Sequence, residues 1–160
     1  MINNKPELIE VNDFTVSGLS VRTINSDEFN QETAKLPQLW NEFFANGMAD
    51  KISNRRPESP IFGVYSNYAS NETDFYTVTA GVSIEPGEIN PELNVVNLEG
   101  GHYLVFKEKG MMPQIIINTW QRIWSYFADN VEYKRRFGTD FEAYLSSDEI
   151  AIYIGVSRDC

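Results

Sequence analysis

Two stretches of this chain carry the same pattern of residues. A chain that repeats itself on this scale is held to folds in which the copies pack against one another. Leu36, Leu39, Trp40, Phe43, Phe44 and Gly47 recur at helical spacing, and Ile116, Thr119, Trp120, Ile123, Trp124 and Phe127 occupy the same relative positions. Each stripe is followed by Phe-x-x-Tyr (Phe62 to Tyr65, then Phe141 to Tyr144) and later by Gly-Val-Ser (Gly81 to Ser83, then Gly155 to Ser157). The expectation is two halves about a pseudo-two-fold axis with a cleft along their seam. One acidic residue breaks the symmetry: inside Phe-x-x-Tyr, Gly63 of the first copy is Glu142 in the second. That carboxylate occurs once, as a binding site would require.

Between the motifs the chain punctuates itself. Residues 7–24 read as one long strand bent near Gly18. A helix over about 35–47 carries Pro37 in its first turn and stops at Gly47. Residues 61–68 and 74–84 read as strands joined by the polar turn Ser70, Asn71, Glu72 and Thr73. Residues 86–92 form a linker stiffened by Pro86 and Pro91. Beyond it come a strand over about 94–108, a turn from Gly110 to Pro113, a helix at 113–128, and strands at 138–145 and 149–156. The predicted fold is a single α+β domain over 1–160, with duplicated β-α-β-β halves at about 7–85 and 93–157. Its antiparallel sheet is packed with two helices, and a cleft lies between the halves.

Composition narrows the function. The chain has 160 residues, enough for a substantial core, and 13% of them are aromatic. A formal charge of −10, with basic clusters only at Arg55-Arg56 and Lys134-Arg135-Arg136, argues against a nucleic-acid groove. No stretch approaches the roughly 20 apolar residues that cross a bilayer. The N-terminus lacks the pattern of a secretory signal, so a cytoplasmic location is expected. Cys160 and His102 are the sole cysteine and histidine, which leaves no multi-His or paired-Cys metal site. No cofactor is expected. Exposed sheet edges in so aromatic a protein call for cover, and a homodimer is the expected form.

Strand alternation puts Asp140, Glu142 and Tyr144 on one face and Phe141, Ala143 and Leu145 on the other. With Ser147-Asp148 as a two-residue turn, Glu142 lies opposite Tyr153, Cβ atoms roughly 5 Å apart. The face could be solvent-facing, making Glu142 an ordinary surface acid, and the tryptophan stripes could be plain core. Against these stands the cluster of Tyr65, Tyr68, Tyr76, Tyr144 and Tyr153 around the two hairpins. Aromatic faces around one unpaired carboxylate make a receptor for a large flat cation.

The Trp-x-x-Phe helix at Trp40, the run from Phe62 to Tyr68, Tyr76 to Gly81, Tyr103 to Phe106, Thr139 to Tyr144 and Ile152 to Ile154 together resemble the GyrI-like effector-binding family. These are the ligand-sensing domains of AraC-type and MerR-type multidrug regulators, also found alone as gyrase inhibitors. The resemblance covers about residues 8–157. It implies binding of lipophilic cationic or aromatic compounds at Glu142, with Tyr153 as the aromatic of the last strand and Trp40, Tyr65 and Phe106 as walls. It carries no helix-turn-helix, so direct nucleic-acid contact is not expected. The output would be sequestration or transcription regulation through a separate regulator. Two alternatives stay open. One is a hydrolase of electrophilic genotoxic natural products that uses Glu142; the other is an interaction module of the gyrase-inhibitor type.

Overall fold

The computed structural model describes residues 6–71, 73–87, 90–129 and 132–158. Glu72 of the expected polar turn, Glu88 and Ile89 of the linker, and Cys160 lie outside them. Among the described residues the strands are β1 (Glu7–Val11), β2 (Phe14–Thr23), β3 (Ile61–Ser66), β4 (Tyr76–Ile84), β5 (Asn94–Leu98), β6 (Gly101–Lys109), β7 (Tyr133–Arg135), β8 (Asp140–Ser146) and β9 (Glu149–Arg158). The helices are α1 (Asn25–Glu28), α2 (Leu36–Ala45), α3 (Met48–Lys51) and α4 (Gln114–Asp129). No helix is long and apolar enough to cross a membrane among these residues.

The strands form one antiparallel sheet in the order β1-β6-β9-β8-β3-β4-β2-β5, with β7 added beside β9. The order reads the same from either end when β1 is exchanged with β5, β2 with β6, β3 with β8 and β4 with β9. Around its long helix each segment has two strands before and, β7 apart, two after: β1, β2, α2, β3, β4 and then β5, β6, α4, β8, β9. The sequence reading expected one strand before the helix. β3 and β8 pair at the centre. This is an α+β fold built on a large antiparallel sheet with few helices.

Two of the expected long strands are broken. Residues 7–24 divide at Asn12–Asp13, so β1 pairs with β6 while β2 pairs with β4 and β5. The 94–108 stretch divides at Glu99–Gly100 in the same way. Gly18 is not a bend. It lies directly across from Gly81, where a Cβ would come within 1.9 Å of the Ala80 carbonyl oxygen. The two backbones approach more closely than any side chain permits.

Both long helices lie on one face. Leu39 and Phe43 of α2 pack onto Val78, Ala80 and Val82, and Ile123 of α4 packs with Leu104, Ile150, Ile152 and Ile154. Thus α2 rests on β2 and β4, and α4 on β6 and β9. The central strands β3 and β8 form the floor of the space between the helices. The opposite face has its own core of Val16, Phe62, Val64, Leu98, Tyr103, Phe141 and Ala143.

The basic clusters are taken up internally. Arg55 bonds the carbonyls of Ala49 and Ser59, Arg135 pairs with Asp140 at 2.9 Å, and Arg136 pairs with Glu99 at 3.3 Å.

Gly18→Ala should force β2 and β4 apart and lower stability by about 1–3 kcal/mol, as over-packing does. Urea unfolding checks this: an unchanged midpoint would mean that the backbones separate freely.

Candidate functional site

The two corresponding positions of the sequence pattern that differ by a carboxylate prove to be a cross-strand pair. Gly63 of β3 and Glu142 of β8 are direct partners at the centre of the sheet. They sit in a row of neighbours on the helix face that runs Leu19, Ala80, Gly63, Glu142, Ile152, Phe106. A Cβ at Gly63 would lie 2.8 Å from Glu142 Oε1 and 3.0 Å from the Trp40 ring. The glycine therefore leaves room for the acid of the other segment and for the indole above it.

Glu142 is 2% exposed and accepts three hydrogen bonds. Tyr65 Oη donates to Oε2 at 3.0 Å, Trp120 Nε1 donates to Oε2 at 2.7 Å, and Tyr144 Oη donates to Oε1 at 2.6 Å. Among the described residues no Lys or Arg pairs with it. Burial pushes its pKa up, and the bonds from Tyr144, Trp120 and Tyr65 pull back part of that shift. Burial and the Glu142 charge push the Tyr65 and Tyr144 hydroxyls well above the usual tyrosine range, so both stay neutral donors.

Above this floor lies a cavity of about 920 Å³. Trp40 and Phe44 of α2 and Ile116, Trp120 and Trp124 of α4 wall its two sides, with Tyr65, Tyr68 and Tyr76 along the sheet. Trp40 meets Tyr144 edge-on at 5.2 Å and stacks on Phe44 at 5.8 Å. At the rim Phe29, 75% exposed, meets Trp124 edge-on at 6.2 Å. The arrangement can hold a large apolar guest and place a positive charge on one carboxylate in a site of low dielectric. No cluster of His, Cys, Asp and Glu suited to a metal ion occurs among the described residues.

The structure brings together three of the expected residues, Glu142, Trp40 and Tyr65. It places Tyr153 and Phe106 elsewhere. Ser147-Asp148 is indeed the turn, since Ser146 pairs with Glu149, but a bulge follows between Tyr144 and Ser146. That extra residue shifts the register by one, so Ile152 lies opposite Glu142 and Tyr153 lies opposite Phe141. Tyr153 stacks on Phe141 at 4.4 Å, on the face away from the cavity. Phe106 is on the correct face but one strand too far out. It lies 1% exposed beneath α4, edge-on to Tyr126 at 5.5 Å.

The residues implied by the resemblance did not include Trp120 or Tyr144, although Tyr144 belongs to the tyrosine cluster read around the hairpins. Tyr144 lies two positions from Glu142 and so shares its face. Trp120 is the counterpart of Trp40 in the repeat, and a buried indole N–H needs an acceptor.

A cavity of this kind receives a guest, and the class of protein it defines is an effector-binding one. The chain belongs to the Cass2 family of integron-associated effector binding proteins, which it matches over residues 7–156. It is 36% identical to the integron cassette protein VCH_CASS2 from the mobile metagenome of Vibrio cholerae, with a TM-score of 0.83 and 96% of each chain covered. It is 32% identical over 150 residues to YobU of Bacillus subtilis (strain 168), named a candidate transcriptional regulator protein, spanning 89% of this chain and 91% of that one. SAV2435, solved bound to tetraphenylphosphonium, shares the fold at a TM-score of 0.78 and 14% identity, over 96% of this chain and 94% of that one. The resemblance to effector-binding domains read from the sequence is borne out.

Glu142 holds its proton to higher pH in the folded chain than in the unfolded one. The stability this contributes is full below the ordinary carboxylate value and is lost as pH rises through the raised folded value. Glu142→Gln should lack that loss and be at least as stable as the wild type at pH 7. Its amide can accept from Trp120 and Tyr65 and donate to the Tyr144 oxygen. Urea titrations between about pH 4 and 8 check this. A Gln variant that tracks the wild type across the range would show that the carboxylate is not under strain.

Proposed function

We propose that the chain is a binding module for lipophilic cationic or aromatic compounds, held between the helices with their positive charge against Glu142. The observation that carries this reading is the buried carboxylate itself. It has three neutral donors and no basic partner among the described residues, and it lies at the bottom of an aromatic cavity. A buried acid without a counterion is costly to keep ionised, and a bound cation offsets that cost while the rings supply cation–π contacts of about 0.5–2 kcal/mol each. The tetraphenylphosphonium bound by SAV2435 is a guest of the same kind, on the same fold.

The output of binding is either sequestration of the compound or transcription regulation, the latter supported by the name given to YobU. The repeated motifs and the symmetric strand order support descent of the two halves from one duplicated unit.

Tetraphenylphosphonium titrated against the protein tests the reading. Trp40, Trp120 and Trp124 line the cavity, so intrinsic fluorescence reports occupancy. Glu142→Gln should weaken binding at least about tenfold, roughly 1.4 kcal/mol, and leave a neutral aromatic of similar size little affected. Affinity of the wild type for the cation should fall as pH drops through the Glu142 pKa. Equal affinity of the two proteins for the cation would reduce the carboxylate to a bystander.

A further inference from the structure

A second carboxylate faces the cavity. Glu28, at the end of α1, belongs to the segment between β2 and α2 and lines the same space as Glu142. Its Oε2 accepts from the Thr23 hydroxyl and from the Lys35 backbone N–H at 2.9 Å, and its Oε1 accepts from the Leu36 N–H at 3.2 Å. These bonds fix the group in place without neutralising it. The two N–H groups present the α2 N-terminus, whose partial positive charge offsets only about half of a full negative one. The nearby Lys35 amine is directed to Asp27, at 3.5 Å, and no ion pair to Glu28 occurs among the described residues.

A pair of rings connects the two acids. Tyr65 donates to Glu142, its ring lies 5.5 Å from that of Tyr76, and the Tyr76 hydroxyl donates to Asn25 Oδ1 at 2.5 Å, on the same short helix as Glu28. The two carboxylate fields overlap along this path. After burial, the charges of Glu28 and Glu142 are what push the Tyr76 hydroxyl up. Of the other charged groups on this side, Arg135 pairs with Asp140 and Lys35 with Asp27, and neither pair adds net charge. The cavity thus carries two negative poles with aromatic surface between them.

We propose that the cavity is a two-point site for lipophilic dications, with one cationic centre at Glu142, a second at the Asn25–Glu28 corner, and the Tyr65 and Tyr76 rings against the aromatic body that joins them. The proposal rests on the cation-binding reading above and adds a substrate class and a residue to it. A single-charge guest satisfies Glu142 alone. A guest with a second quaternary nitrogen gains the field of Glu28 without having to displace its hydrogen bonds, since an alkylated nitrogen has no hydrogen to donate.

Ethidium and propidium share one chromophore, and propidium carries an additional quaternary ammonium on a propyl arm, so the pair isolates the second charge. Dissociation constants for both dyes, read by dye fluorescence at low ionic strength, are compared in the wild type, Glu28→Gln and Asn25→Asp. The wild type should favour propidium by at least about tenfold. Glu28→Gln should abolish the preference, weakening propidium at least about tenfold more than ethidium. Asn25→Asp, which adds a charge at the same corner and still accepts from Tyr76, should enlarge it. The wild-type ratio and Asn25→Asp keep the test decisive if Glu28→Gln does not fold. If ethidium binds through Glu142 but propidium gains nothing, or the preference survives Glu28→Gln, the second pole is overturned and the cation-binding reading stands. If neither dye nor tetraphenylphosphonium binds, both fall.

Discussion

The pairing of Gly63 with Glu142 at the middle of the sheet is the constraint around which the rest is arranged. A side chain at position 63 would occupy the space now held by the carboxylate and by the edge of Trp40. With the glycine there, an acid can be sunk into the sheet surface, and three donors must then reach it from α4, β3 and β8. Those donors are aromatic, so the groups that stabilise the charge are also the walls of the cavity. The helices must stand apart above the acid, each over its own outer strands, or the floor would be covered. Site and fold are therefore one arrangement: the sheet centre that most proteins fill with aliphatic packing is here given to a polar cluster, and the cores lie to either side and beneath.

Much of this was legible because periodicity survives folding. The stripes from Leu36 to Gly47 and Ile116 to Phe127 became α2 and α4, and the asymmetric position marked the place where the two segments meet. What escaped reading was set by single residues that leave no periodic trace. The bulge after Tyr144 turned a correct turn assignment into a wrong cross-strand partner, moving Tyr153 to the far face. The resemblance implied Phe106 as a wall, but the strand order that puts β9 between it and Glu142 is a long-range fact. The breaks at Asn12–Asp13 and Glu99–Gly100 lie in stretches whose alternation continues on both sides. Glu28 sits in α1, a single turn too short for any periodic pattern to assign an orientation.

Charge is distributed to the same end. Acidic residues outnumber basic ones by 23 to 13, yet the arginine that lines the cavity, Arg135, is held by an acid of the protein, and Arg136 lies on the opposite face. Arg135 is held by Asp140 and lies over the Phe137 ring at 4.5 Å, while Arg136 lies over Tyr103 at 5.0 Å. Asp140 is itself fully buried and also accepts from Tyr68 and the Gly155 N–H, so its charge is satisfied many times over. On the same face of β8, two residues apart, one acid is saturated by a cation of the protein and the other is not. An acidic exterior draws cations towards the molecule, and within the cavity Glu142 is the acid at the floor without a basic partner among the described residues.

The exchange of leading strands has a consequence for how the molecule comes into being. β1 is made first and closes the sheet beside β6, while β5 crosses to the first segment and lies against β2. Neither segment can complete its own sheet from its own chain, and the central pairing joins residues nearly a full repeat apart. Contacts of such long sequence separation make folding slow and late. During synthesis from the N-terminus, no chain that ends before β8 contains the floor together with both walls. The cavity is therefore completed only late in synthesis. Any guest of the cavity would bind the native state and not the incomplete chain, and so would draw the folding equilibrium towards completion.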